Sequence, residues 1–279
     1  MDFLAAIHQR VSTRSYADRS VDPALLEGLL SFAENADHVS NVPARVALVS
    51  GGDAVKDVLT FMIGSYGFVL NAPQLLVGVL PEESETARID LGYVLEQVVL
   101  QATRLGLGTC WITGSYDAER AGNALALTSG EVAAAVCALG YPTERGLGRL
   151  HSRAVRRLAR GHRRKPLNEI VFSERWRGPW TPQDADPTLV PILEHARLAP
   201  SAHNGQPWRF VVDADRVALA VVRPSFIDAG IVMSHVTLAC AAVERVGHWE
   251  LRLRDDAVAR RYNLPRRAIP VATFTYSGS

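Results

Sequence analysis

At 279 residues the chain is long enough to bury a full core, as one large unit or two smaller ones. Its 30 Lys and Arg against 29 Asp and Glu leave a formal charge of +1, which excludes bulk nucleic-acid binding and an acidic solvating tail. Cys110, Cys137 and Cys240 share no short spacing and lie in apolar surroundings, so they read as buried thiols and not as a disulfide framework. The eight histidines lack compact ligand spacing, and no metal is expected.

The opening MDFLAAIHQR is a short amphipathic helix without the basic region and long apolar run of a signal peptide. No stretch approaches an uninterrupted apolar run of about 20 residues, so a cytoplasmic protein without a membrane span is expected. In HQRVSTRSY an extended backbone would point Arg10, Ser12 and Arg14 to one side. Two guanidinium groups and a hydroxyl so placed suit a phosphate dianion, although a solvated strand or turn accounts for the same residues. RVALV from Arg45 and QLLVGV from Gln74 read as strands. A largely apolar helix follows in DLGYVLEQVVLQATRLGLGTCW from Asp90.

GLGTCWITGSYD, Gly106 to Asp117, reads as a helix cap followed by a turn. Gly106 and Gly108 free the chain to leave the helix and pass close to a neighbour, and Thr113 and Gly114 can direct backbone N–H groups toward a ligand. It is no dinucleotide fingerprint, because the required strand-turn-helix order is missing. AAAVCALGY, ending at Tyr141, is a further strand, and the basic run Arg156 to Lys165 reads as a solvated helix and turn. SERWRGPWTPQDADP, Ser173 to Pro187, is turn-rich and polar apart from its tryptophans, which puts a boundary there between 1–173 and 174–279.

LVPILEHARL has helical spacing and leads into APSAHNGQPWRF, Ala199 to Phe210. Its composition suits a turn, yet a plain turn has no need of Ser201, Asn204 and Gln206 beside Trp208; something polar and flat could bind there. Strands begin at Arg209 and Arg216, and PVATFTY forms a last strand. DAGIVMSHVTLACAAVERVGHW from Asp228 echoes the segment from Asp90: a Gly follows two residues after the Asp, and the helix ends near Gly and Trp. LLEGLLSFAENADHVSN echoes LVPILEHARLAPSAHN in the same way. Such repeats suggest two related halves that bury one another's central helices. His235 reads as a satisfied core or interface histidine, and His203 as holding its turn or donating to a ligand. Core burial is the simplest account of Trp111 and Trp208. Asp184, Asp186, Asp213 and Asp215 flank Pro or strand boundaries and make poor acid–base pairs, and no G-x-S-x-G elbow is present.

In combination, IHQRVSTRSY, LGLGTCWITG, EVAAAVCALGYP followed by RRKPLNEIV, and APSAHNGQPWRF resemble the flavin-dependent nitroreductase family. FIDAGIVMSHVTL, Phe226 to Leu238, is similar to a fused branch in which one chain imitates the usual homodimer. The resemblance implies an α+β fold with a mostly antiparallel sheet flanked by helices, in two pseudo-symmetric halves. It implies FMN as cofactor, NADH or NADPH as transient donor, and a small organic acceptor such as a nitroaromatic or quinone. The alternative is an FMN store, shield or sensor, with RWRGPW, Arg175 to Trp180, as a cover or a linker. By matching positions, Arg10, Ser12 and Arg14 would hold the ribityl phosphate and Arg164 or Lys165 would close it. Pro200, Ser201 and Asn204 would border the ring from the second half. The backbone amides of Thr113 and Gly114 would approach the reactive nitrogen, and no side chain need act as a catalytic group. The first half reads ENADHVSNVPAR where the family carries the Pro-Ser pair; the second lacks RxSxR and has GHWELRL in place of GLGTCWITG. These complementary deficiencies imply one flavin site per chain and a monomer. The last strand, PVATFTY, would complete the other half's sheet.

Overall fold

The computed structural model describes residues 1–59, 69–143, 163–183, 186–213 and 216–276. Two helices without a usable polar face set its architecture. In α4, Glu85–Arg104, every position from Ile89 to Leu100 is buried, and in α8, Phe226–Ala242, every position from Phe226 to Val236 is buried. Helices whose buried positions run all the way round cannot lie on a surface, so each must be covered on all sides.

They cover one another at glycines. A Cβ on Gly92 would lie 2.1 Å from the carbonyl oxygen of Ile227, and one on Gly230 would lie 1.9 Å from that of Ile89. The contact is reciprocal: each glycine meets the backbone one residue before the other helix's aspartate. The sequence echo is therefore a pseudo-symmetric helix crossing. It extends to two tryptophans, since the spacing from Asp90 to Trp111 equals that from Asp228 to Trp249. Each returns to the central helix of its own half. The indole N–H of Trp111 donates to Glu96 at 2.7 Å, and that of Trp249 to the Met233 carbonyl at 3.3 Å and the Thr237 hydroxyl at 3.1 Å.

Around α4 the first half supplies α1 (Phe3–Gln9), α2 (Pro23–Glu34), α3 (Gly52–Val58) and α5 (Ala118–Ala124), with β1 (Arg45–Ser50), β2 (Gln74–Leu80), β3 (Gly108–Ile112) and β4 (Val132–Gly140). The strands form an antiparallel sheet in the order β1-β2-β4-β3. Asp2 and Asp22 cap α1 and α2 through their side chains, and Pro23 opens α2, where its missing N–H costs nothing. The second half supplies α6 (Leu167–Ile170), α7 (Leu189–Ala196) and α9 (Asp256–Arg261), with β5 (Val171–Ser173), β6 (Trp208–Asp213), β7 (Arg216–Val221), β8 (Gly247–Leu251) and β9 (Ile269–Tyr276). Its sheet runs β5-β6-β7-β9-β8, antiparallel except for the β5–β6 pair.

The structure corrects two expectations from the sequence. The segment after Gly106 is not simply a cap and turn: Gly106, at φ +79°, ends the helix, but Gly108–Ile112 then forms edge strand β3. PVATFTY does not cross to the other half; β9 lies inside the second sheet between β7 and β8, antiparallel to both strands of its own half. The segment that joins that sheet from earlier in the chain is Val171–Ser173, which pairs in parallel with Phe210–Val212. Of the basic run, residues 156–162 lie outside the described residues, as do Asp184 and Asp215. Cys110, Cys137 and Cys240 are free and buried, and Trp208 is fully buried in the core.

The crossing yields a prediction. Gly92→Ala or Gly230→Ala forces a methyl group into a carbonyl oxygen that no side-chain rotation can move, and overpacking of this kind costs about 1–3 kcal/mol or more. Gly28 sits in α2 with nothing within 4 Å of a Cβ, so Gly28→Ala is expected to stabilise by about 0.5–1 kcal/mol. Urea denaturation midpoints of the three variants check this; a wild-type midpoint for both Gly92→Ala and Gly230→Ala would contradict the crossing.

Candidate functional site

The chain leaves α1 at Arg10, whose extended ψ of 123° turns it onto β3. Ser12 bridges Thr109 in parallel, the Thr13 amide donates to the Thr109 carbonyl at 2.8 Å, and the Tyr16 amide donates to the Leu70 carbonyl at 3.0 Å. Gly108 makes the approach possible, since a Cβ there would lie 2.6 Å from the Thr13 hydroxyl. Arg10, Ser12 and Arg14 all act on the buried thiol of Cys110. Burial raises that thiol, while Arg14, Arg10 and a hydrogen bond with Ser12 oppose the rise. All three residues therefore lie near this one thiol. The Nε atoms of Arg10 and Arg14 are buried without a hydrogen-bond partner, and Arg14 has no ion pair among the described residues.

Sequence reasoning missed Glu96. It is fully buried in α4, one turn beyond the glycine crossing, and gathers groups from both halves. Its Oε1 lies 2.9 Å from His235 Nε2 and 4.0 Å from Arg10 Nε, and its Oε2 accepts from Trp111. His235 Nδ1 faces the carbonyl of His195 at 3.1 Å. A carbonyl only accepts, so Nδ1 carries the hydrogen of that contact and Nε2 is turned to Glu96. His235 is thus the satisfied interface histidine its position suggested. The available signal for Glu96 was a lone charge inside the apolar run VLEQVVL, because an acid there needs buried partners.

From the second half, Ala199 to Phe210 reaches across to residues 163–165. His203, Asn204 and Gln206 adopt left-handed φ values of +54°, +51° and +45°, and the Ser201 hydroxyl accepts from the Gln206 amide at 2.9 Å. Asn204 Nδ2 donates to the Arg163 carbonyl at 2.8 Å, and Gln206 Oε1 accepts from the Lys165 amide at 2.8 Å. The Arg164 guanidinium donates to Asn204 Oδ1 and, at 3.0 Å, to the Leu198 carbonyl. Arg164 is pushed down to about 10, first by burial and then by the positive charges of Arg10 and Arg197, with Glu96 opposing. Arg164 therefore shares an electrostatic environment with Arg10. Lys165 turns elsewhere: burial lowers it, followed by Arg209, with Glu169 opposing and Arg223 adding to the fall. Asn204 uses both ends of its amide within the protein, so its visible task is to brace Arg164. Pro200 is buried and Ser201 half-buried. Thr113 and Gly114 are exposed just past β3, about 13 Å along the strand from Thr109, at about 3.3 Å per residue.

The two central aspartates hold corresponding loops in different ways. Asp90 accepts from the amides of Val39, Ser40 and Ala44 at 2.9, 3.2 and 2.9 Å, and pairs with His38 Nδ1 at 2.7 Å. Among the described residues Asp228 accepts only from the Ala202 amide, at 3.0 Å, and its Oδ2 is buried without a partner. Burial raises Asp228 to about 6, against smaller lowering effects of the Ala202 hydrogen bond and Arg223. The first half's loop is closed onto its own helix, while the second half's loop is free to turn Asn204 and Gln206 toward residues 163–165.

Buried, convergent guanidinium groups with unpartnered Nε atoms and a single carboxylate among them suit the phosphoryl end of a ligand. Among the described residues no group of His, Cys, Asp and Glu could hold a metal ion, and no helix is long and apolar enough to cross a membrane.

A family model described as "Putative TM nitroreductase" matches residues 2–240, and the chain belongs to this nitroreductase family. The crystal structure of a "putative nitroreductase" from Thermotoga maritima is similar at a TM-score of 0.62 and 20% identity, covering 99% of this chain and 94% of that one. This likeness shows the nitroreductase fold. A nitroreductase family protein from Clostridium novyi matches at 24% identity and a TM-score of 0.45, covering 54% of this chain and 92% of its own. A nitroreductase with bound FMN from Bacteroides fragilis matches at 20% identity and a TM-score of 0.45, covering 53% and 91%. Among curated proteins, none matches this chain.

Asp228 generates a pH prediction. Its folded value, about 6, exceeds the ordinary 3.8, so the native state binds this proton more tightly than the unfolded chain does. Stability is then lost as pH rises through the window from about 4 to about 6, by about 3 kcal/mol in all. Asp228→Asn keeps an oxygen for the Ala202 amide and carries no charge. It should match wild type near pH 4 and exceed it in unfolding free energy at pH 7; denaturant titrations at both pH values check this.

Proposed function

We propose that the protein is an FMN-dependent oxidoreductase that passes electrons from NADH or NADPH to a small organic acceptor such as a nitroaromatic or quinone. The observation that carries the reading is the brace of Asn204, from the second half, on Arg164, a buried cation that feels the charge of Arg10 from the start of the chain. FMN, when bound, supplies the two-electron chemistry, which is why the site needs no nucleophile or triad.

The chain's own residues then have defined tasks. Arg10, Arg14 and Arg164 neutralise the phosphate, and the Ser12 hydroxyl adds a hydrogen bond. Arg14 and Arg164 have no ion pair among the described residues, so their charge is available to an anion. Glu96 fixes Arg10 through a buried carboxylate and ties β3 to the same point through Trp111. Pro200, Ser201 and Asn204 border the ring from the second half, and the amides of Thr113 and Gly114 tune its reducible edge. Arg164, and not Lys165, closes the phosphate end. The chain acts as a cytoplasmic monomer whose two halves, 1–173 and 174–279 except that Leu167–Ser173 joins the second, play the parts of two subunits.

An FMN store with little turnover is the competing reading. The exposure of Thr113 and Gly114 favours turnover. So does RWRGPW, which folds back on its own half: the Trp176 amide donates to the Tyr262 carbonyl at 2.8 Å, and its ring lies 5.2 Å from that of Phe172.

Two measurements test the proposal. Anaerobic mixing of FMN-loaded protein with NADH or NADPH should bleach the flavin absorbance rapidly, and added quinone or nitroaromatic should restore it through repeated cycles. Persistent failure of both nicotinamides, with full occupancy, would establish the store instead. Arg14→Ala and Arg164→Ala should each weaken FMN more than riboflavin, by about tenfold to over a hundredfold, since a charged hydrogen bond is worth about 1.5–3 kcal/mol. Equal weakening of both ligands, in variants shown to be folded, would remove these residues from the phosphate end.

A further inference from the structure

On the far side of the second sheet lies a cavity that the proposed flavin site does not use. Side chains alternate along a strand, so Trp208 and Phe210 of β6 enter the core against α8 while Arg209 faces the opposite side. There Arg209, Arg177, Arg267, Glu169, Phe172 and Trp176 line a cavity of about 440 Å³. Its walls come from four separate parts of the chain: the continuous stretch of α6, β5 and the turn after it, then β6, Val222 just after β7, and the turn before β9.

Three features define what this cavity can hold. First, its charge is unbalanced: three guanidinium groups face one carboxylate, and none of Arg177, Arg209 and Arg267 has an ion pair among the described residues. These charges feel one another, for burial lowers Arg209, Glu169 opposes the fall and Arg267 adds to it. Arg209 itself is anchored from one side, its Nη1 donating to the carbonyls of Gln206 at 3.1 Å and Trp208 at 2.6 Å. Secondly, one wall is aromatic: the rings of Phe172 and Trp176 lie 5.2 Å apart at 56°. Thirdly, the turn carrying Trp176 and Arg177 is held in a costly backbone. Glu174 and Arg177 have φ values of +61° and +59°, and a Cβ on Gly178 would lie 2.0 Å from the Ser173 carbonyl oxygen. The Glu174 amide to Val212 and the Trp176 amide to Tyr262, each at 2.8 Å, pin it to the sheet.

We propose that this cavity is a second binding site, for an aromatic phosphate monoester such as a nucleoside monophosphate, with its ring against Phe172 and Trp176 and its phosphoryl group among the three arginines. A surplus of two positive charges matches a phosphate monoester, at about −1.5 to −2, better than a singly charged carboxylate. Guanidinium forks suit phosphoryl oxygens and aromatic walls suit a flat ring. The volume falls within the range of about 300–1,000 Å³ typical of small-molecule sites and is larger than a bare phosphate fills. The site rests on no assumption about flavin chemistry.

The test uses full-length protein carrying one equivalent of FMN with unbound cofactor removed, so that the Arg10–Arg164 site is closed to the probe and the second cavity is left open. Adenosine 5′-monophosphate, adenosine and inorganic phosphate are titrated by calorimetry and by tryptophan fluorescence. The monophosphate should bind at least tenfold more tightly than either fragment. Arg267→Glu, an exposed change in a turn, and Trp176→Ala should each weaken it at least tenfold while bound FMN and thermal midpoint stay at wild-type values. Arg164→Ala should leave the monophosphate affinity unchanged. No binding of the monophosphate at millimolar concentration, equal binding of all three probes, or wild-type affinity in Arg267→Glu would overturn the proposal. Loss of affinity in Arg164→Ala alone would place the probe in the first site and overturn it as well.

Discussion

The close crossing of α4 and α8 at Gly92 and Gly230 is the constraint on which the rest of the structure depends. Each glycine admits the backbone of the other helix to a distance that no side chain allows, and the two contacts are mirror images in sequence. Because both helices are buried on every side there, neither half has a complete core without the other. The crossing also sets the polar groups. Asp90 and Asp228 sit beside the contact, and Glu96 and His235 meet across it at 2.9 Å. A buried hydrogen-bonded pair of this kind adds little net stability, but removing one partner leaves the other buried and unsatisfied, which is costly. Its contribution is register: it fixes how the two helices lie, and so where Arg10 and β3 lie.

Pseudo-symmetry of the frame does not carry over to the chemistry. At the position where α4 places Glu96, α8 places Ser234, whose hydroxyl is buried without a partner. At the position where the first half places Trp111 against Glu96, the second places Trp249 against a carbonyl and a hydroxyl. Asp90 has drawn its loop shut with three amides, while Asp228 holds the other loop by one. The duplicated frame thus gathers cations at one end and polar loop groups at the other, and joins them where Asn204 and Gln206 meet residues 163–165. The second sheet's outer face is cationic again around Arg209, through residues that have no counterpart in the first half's outer cluster of Val49, Val55 and Val58.

Much of this was legible in the sequence because it follows from period and punctuation. Alternation and apolar runs marked β1, β2, β4, β6 and β7, and the Asp-x-Gly openings of two apolar helices announced a duplication before any coordinate was known. Arg10, Ser12 and Arg14 were legible because extended backbone has a fixed side-chain period. Less was visible where tertiary contact decides. Gly108–Ile112 becomes a strand because β4 offers it an edge and Thr13 packs where Gly108 has no Cβ; its glycines by themselves signal a turn. The choice between Arg164 and Lys165 depends on which way each side chain leaves one short segment, and that follows from the grip of Asn204 and Gln206. Glu96 was passed over because a carboxylate in an apolar helix acquires meaning only through partners that lie far along the chain.

The central claim is that two related halves build one composite site from unequal parts. Its most direct measurement is the amount of FMN released per polypeptide after saturation with excess cofactor and removal of the unbound fraction, together with the molar mass of the loaded species. The account predicts one FMN per chain on a monomer. A reproducible ratio of two per chain that persists in Arg267→Glu, which removes the cavity around Arg209 as the second location, would show that the loop closed on Asp90 still serves a second site, and would contradict it.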